Sequence, residues 1–93
     1  VVFYLKHGEM TLGRLEECER DFPYIYCLFM PTDDFEQFRP LFDEDFRLTN
    51  LDQYSADLDD QIRSLELYLI SEDGEELGDF QGHIFQNEAW VRE

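Results

Sequence analysis

The sequence predicts an α+β domain: one antiparallel β-sheet in the order βββ-αα-ββ(β), with a two-helix layer packed on one face. Three observations predict it. Short β-branched and aromatic runs, punctuated by turn residues, fill both ends of the chain. Between them the apolar spacing switches to the three-and-four pattern of a helix face. The 93 residues leave room for a single acidic domain spanning 1–93, with 43% hydrophobic and 16% aromatic content to build its core.

Residues 1–6, VVFYLK, read as a strand that ends at the His7-Gly8 turn. Residues 10–18, MTLGRLEEC, read as its hairpin partner, and ERDFP at 19–23 holds the next turn. YIYCLFM at 24–30 is apolar on both faces, as an interior strand would be. Thr32 follows as an N-cap, with Asp33 and Asp34 in the first turn, where the helix dipole favours negative charge.

The stretch DFEQFRPLFDEDF at 34–46 carries four phenylalanines among its charges. At about 100° per residue, Phe35, Phe38, Phe42 and Phe46 fall within about 80° of one another. Pro40 lands on the opposite side, which predicts a kinked amphipathic helix with its rings in the core. The alternative is two short helices broken near Arg39, because the residue before a proline avoids the α region. A second helix is expected from Leu51, Tyr54, Leu58, Ile62 and Leu65, capped by Thr49 or Asn50. LELYLI at 65–70 then reads as a strand, and Ser71-Glu72-Asp73-Gly74 as a turn. Leu77–Phe85 is the expected returning strand, with Gly78 and Gly82 marking a bulge or a close approach. Ala89–Arg92 closes the sheet.

The blocks Pro31, Thr32, Phe35, Arg39, Pro40, Leu41, Phe42 and His83, Ile84, Glu88, Ala89, Trp90 carry a resemblance. They resemble a group of small uncharacterised acidic bacterial proteins sharing a PTxxFxxxRPLF block and a HIxxxEAWxR ending. The resemblance implies a bacterial origin and transfers no catalytic residue.

Charge narrows the functions. Seven basic residues stand against 23 acidic ones, a net −16. Such a surface repels nucleic-acid phosphates and anionic lipids, and attracts basic proteins. The same charge is also what solubility alone would produce. No stretch reads as a membrane span or a signal peptide. Two cysteines, Cys18 and Cys27, do not make a disulfide framework, which points to a reducing cytoplasm. They could face each other across the Phe22-Pro23 turn.

No zinc or calcium spacing is present, no phosphate loop, and no nucleophile elbow; no metal and no cofactor is expected. His83, with Asp79 four positions earlier, is a candidate acid–base pair, against the alternative of an edge histidine holding a structural hydrogen bond. Trp90 is a core seal unless exposed, in which case it becomes a binding anchor. The expected function is a small acidic interaction module, such as an immunity or inhibitor protein docking a basic partner. Its candidate face is Asp33, Glu36, Asp43, Glu44, Asp57, Asp59 and Asp60. The alternatives are a homodimeric structural protein, through a strand edge or aromatic patch, and an enzyme built on His83 and a nearby carboxylate.

Overall fold

The computed structural model describes residues 1–92. Seven strands form one sheet: β1 (Val2–His7), β2 (Met10–Asp21), β3 (Tyr24–Pro31), β4 (Tyr68–Ser71), β5 (Glu76–Asp79), β6 (Gly82–Phe85) and β7 (Glu88–Arg92). Two helices, α1 (Arg39–Asn50) and α2 (Ala56–Ser64), lie between β3 and β4 in sequence. The spatial order is β5-β4-β1-β2-β3-β7-β6, with every pairing antiparallel. The α+β class therefore holds. The expected order changes at its end, where four strands follow the helices.

That change comes from the stretch expected to be one strand. Leu77–Phe85 divides into β5 and β6, which occupy opposite edges of the sheet with only Phe80 and Gln81 between them. From Asp79 to Gly82 the chain reaches at most about 11 Å. A flat sheet would hold its first and seventh strands roughly 29 Å apart, at about 4.8 Å per spacing. The sheet must curl, and it forms a half-barrel. Gly78 (φ 112°) and Gly82 (φ 149°) supply backbone conformations that side-chain-bearing residues rarely adopt. At Gly82 a Cβ would stand 1.9 Å from the Trp90 carbonyl oxygen. The crossover is pinned by Phe80 N–H to Leu67 O (2.9 Å) and Arg92 N–H to Gln81 O (2.7 Å).

Strand alternation gives the sheet an inner and an outer face. The inner face carries Phe3, Leu5, Leu15, Ile25, Cys27, Phe29, Leu69, Ile84, Ala89 and Val91, all buried. Gly13 keeps this face open: a Cβ there would lie 2.3 Å from the Phe29 ring. Phe29 meets Phe35 edge-on (4.9 Å), Phe35 meets Phe42 (5.6 Å), and Phe42 meets Phe80 (6.2 Å), a relay of rings through the core.

The phenylalanine tract is broken where proline allows it. Asp33–Phe35 is a single 3-10 turn, and α1 starts afresh with Arg39 and Pro40 as its first two residues. A proline in the first turn has no helical hydrogen bond to lose, so it begins a helix here instead of kinking one. This is the two-piece alternative. Phe35, Phe38 and Phe42 are nonetheless buried, and Phe46 is half-buried. Thr32 does not cap this turn; its hydroxyl donates to Thr11 O (2.7 Å), tying the segment to β2.

The second helix starts later than expected. Thr49 lies inside α1 and its hydroxyl donates to Asp45 O (2.9 Å). The true cap is Ser55, whose Oγ accepts from Leu58 N–H at 3.2 Å. Leu51 and Tyr54, read as helix-face residues, are 53% and 79% exposed in the link. Leu58, Ile62 and Leu65 keep the inward role, Leu58 buried and the other two packed against the core cluster.

Helix α1 lies along β6. Phe42 turns into the core. Phe46 instead stacks on Phe85 (4.5 Å, 9° between planes) and on Trp90 (5.2 Å, 25°). Phe85 and Trp90 belong to the outer face, opposite in alternation to the buried Ile84 and Ala89. One helix thus wraps the β6 edge and touches both sides of it.

Candidate functional site

The half-barrel opens at one end into a cleft of about 1010 Å³. Its walls are the end of β1 at His7 and Gly8, α2 with its following link, and the β5–β6 crossover. The sequence explains the wall positions. Glu66, at φ 53°, turns the chain out of α2 into β4, and the two-residue crossover pulls β5 towards β6. Tyr68, which also lines the cleft, donates its hydroxyl to Gly8 O at 2.5 Å.

Five carboxylates line this cleft: Asp45, Asp59, Glu66, Glu76 and Asp79. The cations among the lining are Arg63 and Arg92, and Arg63 is already held by Asp59 (2.9 Å). Aromatic faces stand among the acids: Tyr24, Tyr68, Phe80 and the two imidazoles. The result is a concave, negative, ring-lined surface suited to a cation, which carboxylates pair with and aromatic faces attract.

His83 bonds through Nδ1 to Asp45 Oδ2 at 2.6 Å. The expected partner, Asp79, lies in β5 and lines the same cleft without making that bond. The correction follows from the split strand: β5 and β6 are on opposite edges, so the four-residue spacing no longer puts both residues on one strand. His83 and Asp45 are about equally and mostly covered, at 26% and 24% side-chain exposure. The Tyr24 ring stands 6.4 Å from the His83 ring.

The seven acidic residues singled out in the sequence fall in separate places. Asp33 is exposed in the 3-10 turn. Glu36 makes a two-pronged pair with Arg39 (2.8 and 2.9 Å), which holds its carboxyl below the ordinary range. Glu44 is paired with Arg47 and shifted the same way for the same reason. Asp43 and Glu44 line a smaller hollow of about 430 Å³ beside Phe46 and Phe85. Asp57 and Asp60 are exposed on α2, and only Asp59 reaches the main cleft. Trp90 is half-buried between Phe46 and Tyr26, whose rings lie 5.2 and 5.8 Å away.

Sequence reasoning missed Asp45, Glu66 and Glu76 as members of one site. Across the 71–74 turn Glu76 pairs with Ile70 and Asp79 with Tyr68, so the Asp-Gly hairpin signal was the available clue that Glu76 and Asp79 share a strand beside β4; Glu66 lies outside that register. Asp45 had no such signal.

The cysteines do not pair. Cys18 sits at a bulge between Glu17 and Glu19, so Cys27 faces Glu17 instead. Burial pushes the Cys27 thiol up to about 11. Arg20 Nε lies 2.8 Å from Glu17 Oε1, an ion pair without hydrogen-bond alignment. Among the described residues, no three His, Cys, Asp or Glu side chains are grouped to hold a metal ion. No helix among them is long and apolar enough to cross a membrane. No protein-family model, curated protein or solved structure matches the chain.

Proposed function

We propose that the chain is an acidic binding module whose cleft receives a cationic segment of a protein partner, as an immunity or inhibitor protein would hold a basic target. The observation that carries this reading is the charge imbalance of the cleft: five carboxylates against two arginines, with Asp59 and Arg63 paired to each other. The net −16 would steer a basic partner from a distance, and the rings would supply short-range contact. In this reading the helix pair forms a cover over the open side of the sheet and fixes the cleft width. The bacterial, cytoplasmic setting belongs to the same proposal; the resemblance and the two free thiols support it.

The test is a nuclear magnetic resonance titration with a short arginine peptide and a glutamate control. Shifts concentrated at Tyr24, Tyr68 and Gly82, and weakened by Asp79→Asn with Glu76→Gln, support the cleft. Shifts spread evenly over remote acids such as Glu9 and Asp33 would reduce the effect to counterion attraction and end the proposal.

A second reading rests on the 2.6 Å contact of His83 and Asp45 inside the cleft. Such a pair is competent for proton transfer, with Tyr24 as the neighbouring ring. His83→Ala separates the two. It removes one of several cleft rings and so weakens peptide binding only partly in the first reading, and abolishes turnover in the second.

A further inference from the structure

Strand β5 has one neighbour, β4, and all four of its residues are exposed. Hydrogen bonds at its end show which way its other side looks. Phe80 N–H turns towards β4 and reaches Leu67 O, so alternation turns the Asp79 N–H and C=O away from β4. Gln81 turns the same way as Asp79, and its carbonyl takes the Arg92 N–H of β7. The space beside β5 is therefore the prolongation of β7, and no described strand fills it. Arg92 at its head, and Glu76 and Asp79 along its side, all line the cleft.

A bulge sets the charges of this edge. Glu76 and Asp79 are three apart in sequence, yet they stand opposite Ile70 and Tyr68, which are two apart, because the register shifts between Leu69 and Ile70. Both carboxylates therefore project from one side of the sheet, about 7 Å apart along the strand. No base offsets them from nearby sequence: residues 64–91 hold seven acids and no lysine or arginine.

We infer that the free side of β5 takes an extended segment of the partner as an added strand, with basic side chains at every second position. This rests on the reading of the cleft as a site for a cationic segment, and specifies how that segment lies. Main-chain bonds to Asp79 hold the strand in place. Basic side chains two apart in it repeat at about 7 Å, the spacing of the two carboxylates. Arg92 stands at the head of the space, so the basic positions lie past it, against Glu76 and Asp79. A second copy of the chain does not fit: β5 against β5 would set these acids against their own kind.

The experiment titrates the isotope-labelled protein with three capped peptides of alternating arginine and threonine. One has an unmodified backbone, one carries N-methyl groups on its arginines, and one carries them on its threonines. All three have the same charge. An added strand turns only one of the two sets of N–H groups towards β5. One methylated peptide should therefore bind at least about tenfold more weakly than the other, because its methyls replace the bonding hydrogens. The Asp79 amide should also exchange with solvent at least about tenfold more slowly in the complex with the unmodified peptide. Methylated peptides that bind alike overturn the inference, and so does an Asp79 amide whose exchange does not change. In either case, shifts still centred on Tyr24, Tyr68 and Gly82 leave the cleft reading standing. A protein that binds none of the three peptides overturns both.

Discussion

His83 on β6 and Asp45 on α1 join the sheet to the helix through a single contact of 2.6 Å. The contact lies beside the stack of Phe46 on Phe85, so one polar and one aromatic clasp hold the same helix to the same strand. Asp45→Ala should therefore cost about 1 kcal/mol of stability in urea unfolding, the net worth of one partly exposed hydrogen bond. His83→Ala should cost a similar amount, and the double variant less than the sum, since the two residues share one interaction.

The ring relay predicts a larger loss. Phe35 and Phe42 are almost wholly buried and touch each other as well as Phe29 and Phe80. Phe42→Ala should destabilise by about 3–5 kcal/mol through lost transfer energy and the cavity left behind. Tyr54→Ala, at an exposed position in the link, should stay within about 0.5 kcal/mol. A denaturant series comparing the two variants tests the assignment of inside and outside.

Gly13→Ala tests a different part of the core. Its methyl would stand 2.3 and 2.6 Å from two carbons of the Phe29 ring, which is fully buried and has little room to withdraw. A loss of about 1–3 kcal/mol is expected from overpacking. Gly82→Ala should be worse, because the obstacle there is backbone and the φ of 149° is itself unfavourable. Thermal melts of both variants order the two effects.

Acid should release the Glu36–Arg39 and Glu44–Arg47 clasps of the α1 region. Hydrogen bonds from the arginines lower both carboxyls in the folded state. Their contribution is therefore present above the unfolded glutamate value of about 4.3 and disappears as pH falls through the lower folded value. Glu36→Gln should differ from the parent at neutral pH and converge with it in strong acid. Melting temperatures across that range give the check.

The two thiols should label unequally. Cys18 is exposed, while Cys27 is buried with its thiol pushed up to about 11, so it carries almost no thiolate near neutrality. Mass spectrometry after brief alkylation at pH 8 should find one modified cysteine in the folded protein and two after denaturation.

The strands were legible to within a few residues where a β-prone run met a local turn. Residues 1–6 became β1 at Val2–His7, and 24–30 became β3 at Tyr24–Pro31. The burial of Phe35, Phe38 and Phe42 was legible too, since apolar periodicity survives even when the helix behind it is broken. The start of α2 was not, because Leu51 and Tyr54 fit the face spacing and masked the better cap at Ser55. The division of Leu77–Phe85 was hidden for another reason. Gly78 and Gly82 signalled an irregularity, but nothing local says that the chain should leave one edge of the sheet and rejoin at the other. The Asp45–His83 contact depends on that long-range closure, across 38 positions of sequence.

Two residues, Phe80 and Gln81, act on the protein as a buckle acts on a belt. Their number sets how tightly the hoop of strands is drawn, and both of them also border the acidic hollow. Lengthening the buckle by a few glycines would let the hoop slacken with every strand pairing intact, widening the mouth of that hollow. The width of that mouth is thus tunable by insertion, without touching any charged group that lines it.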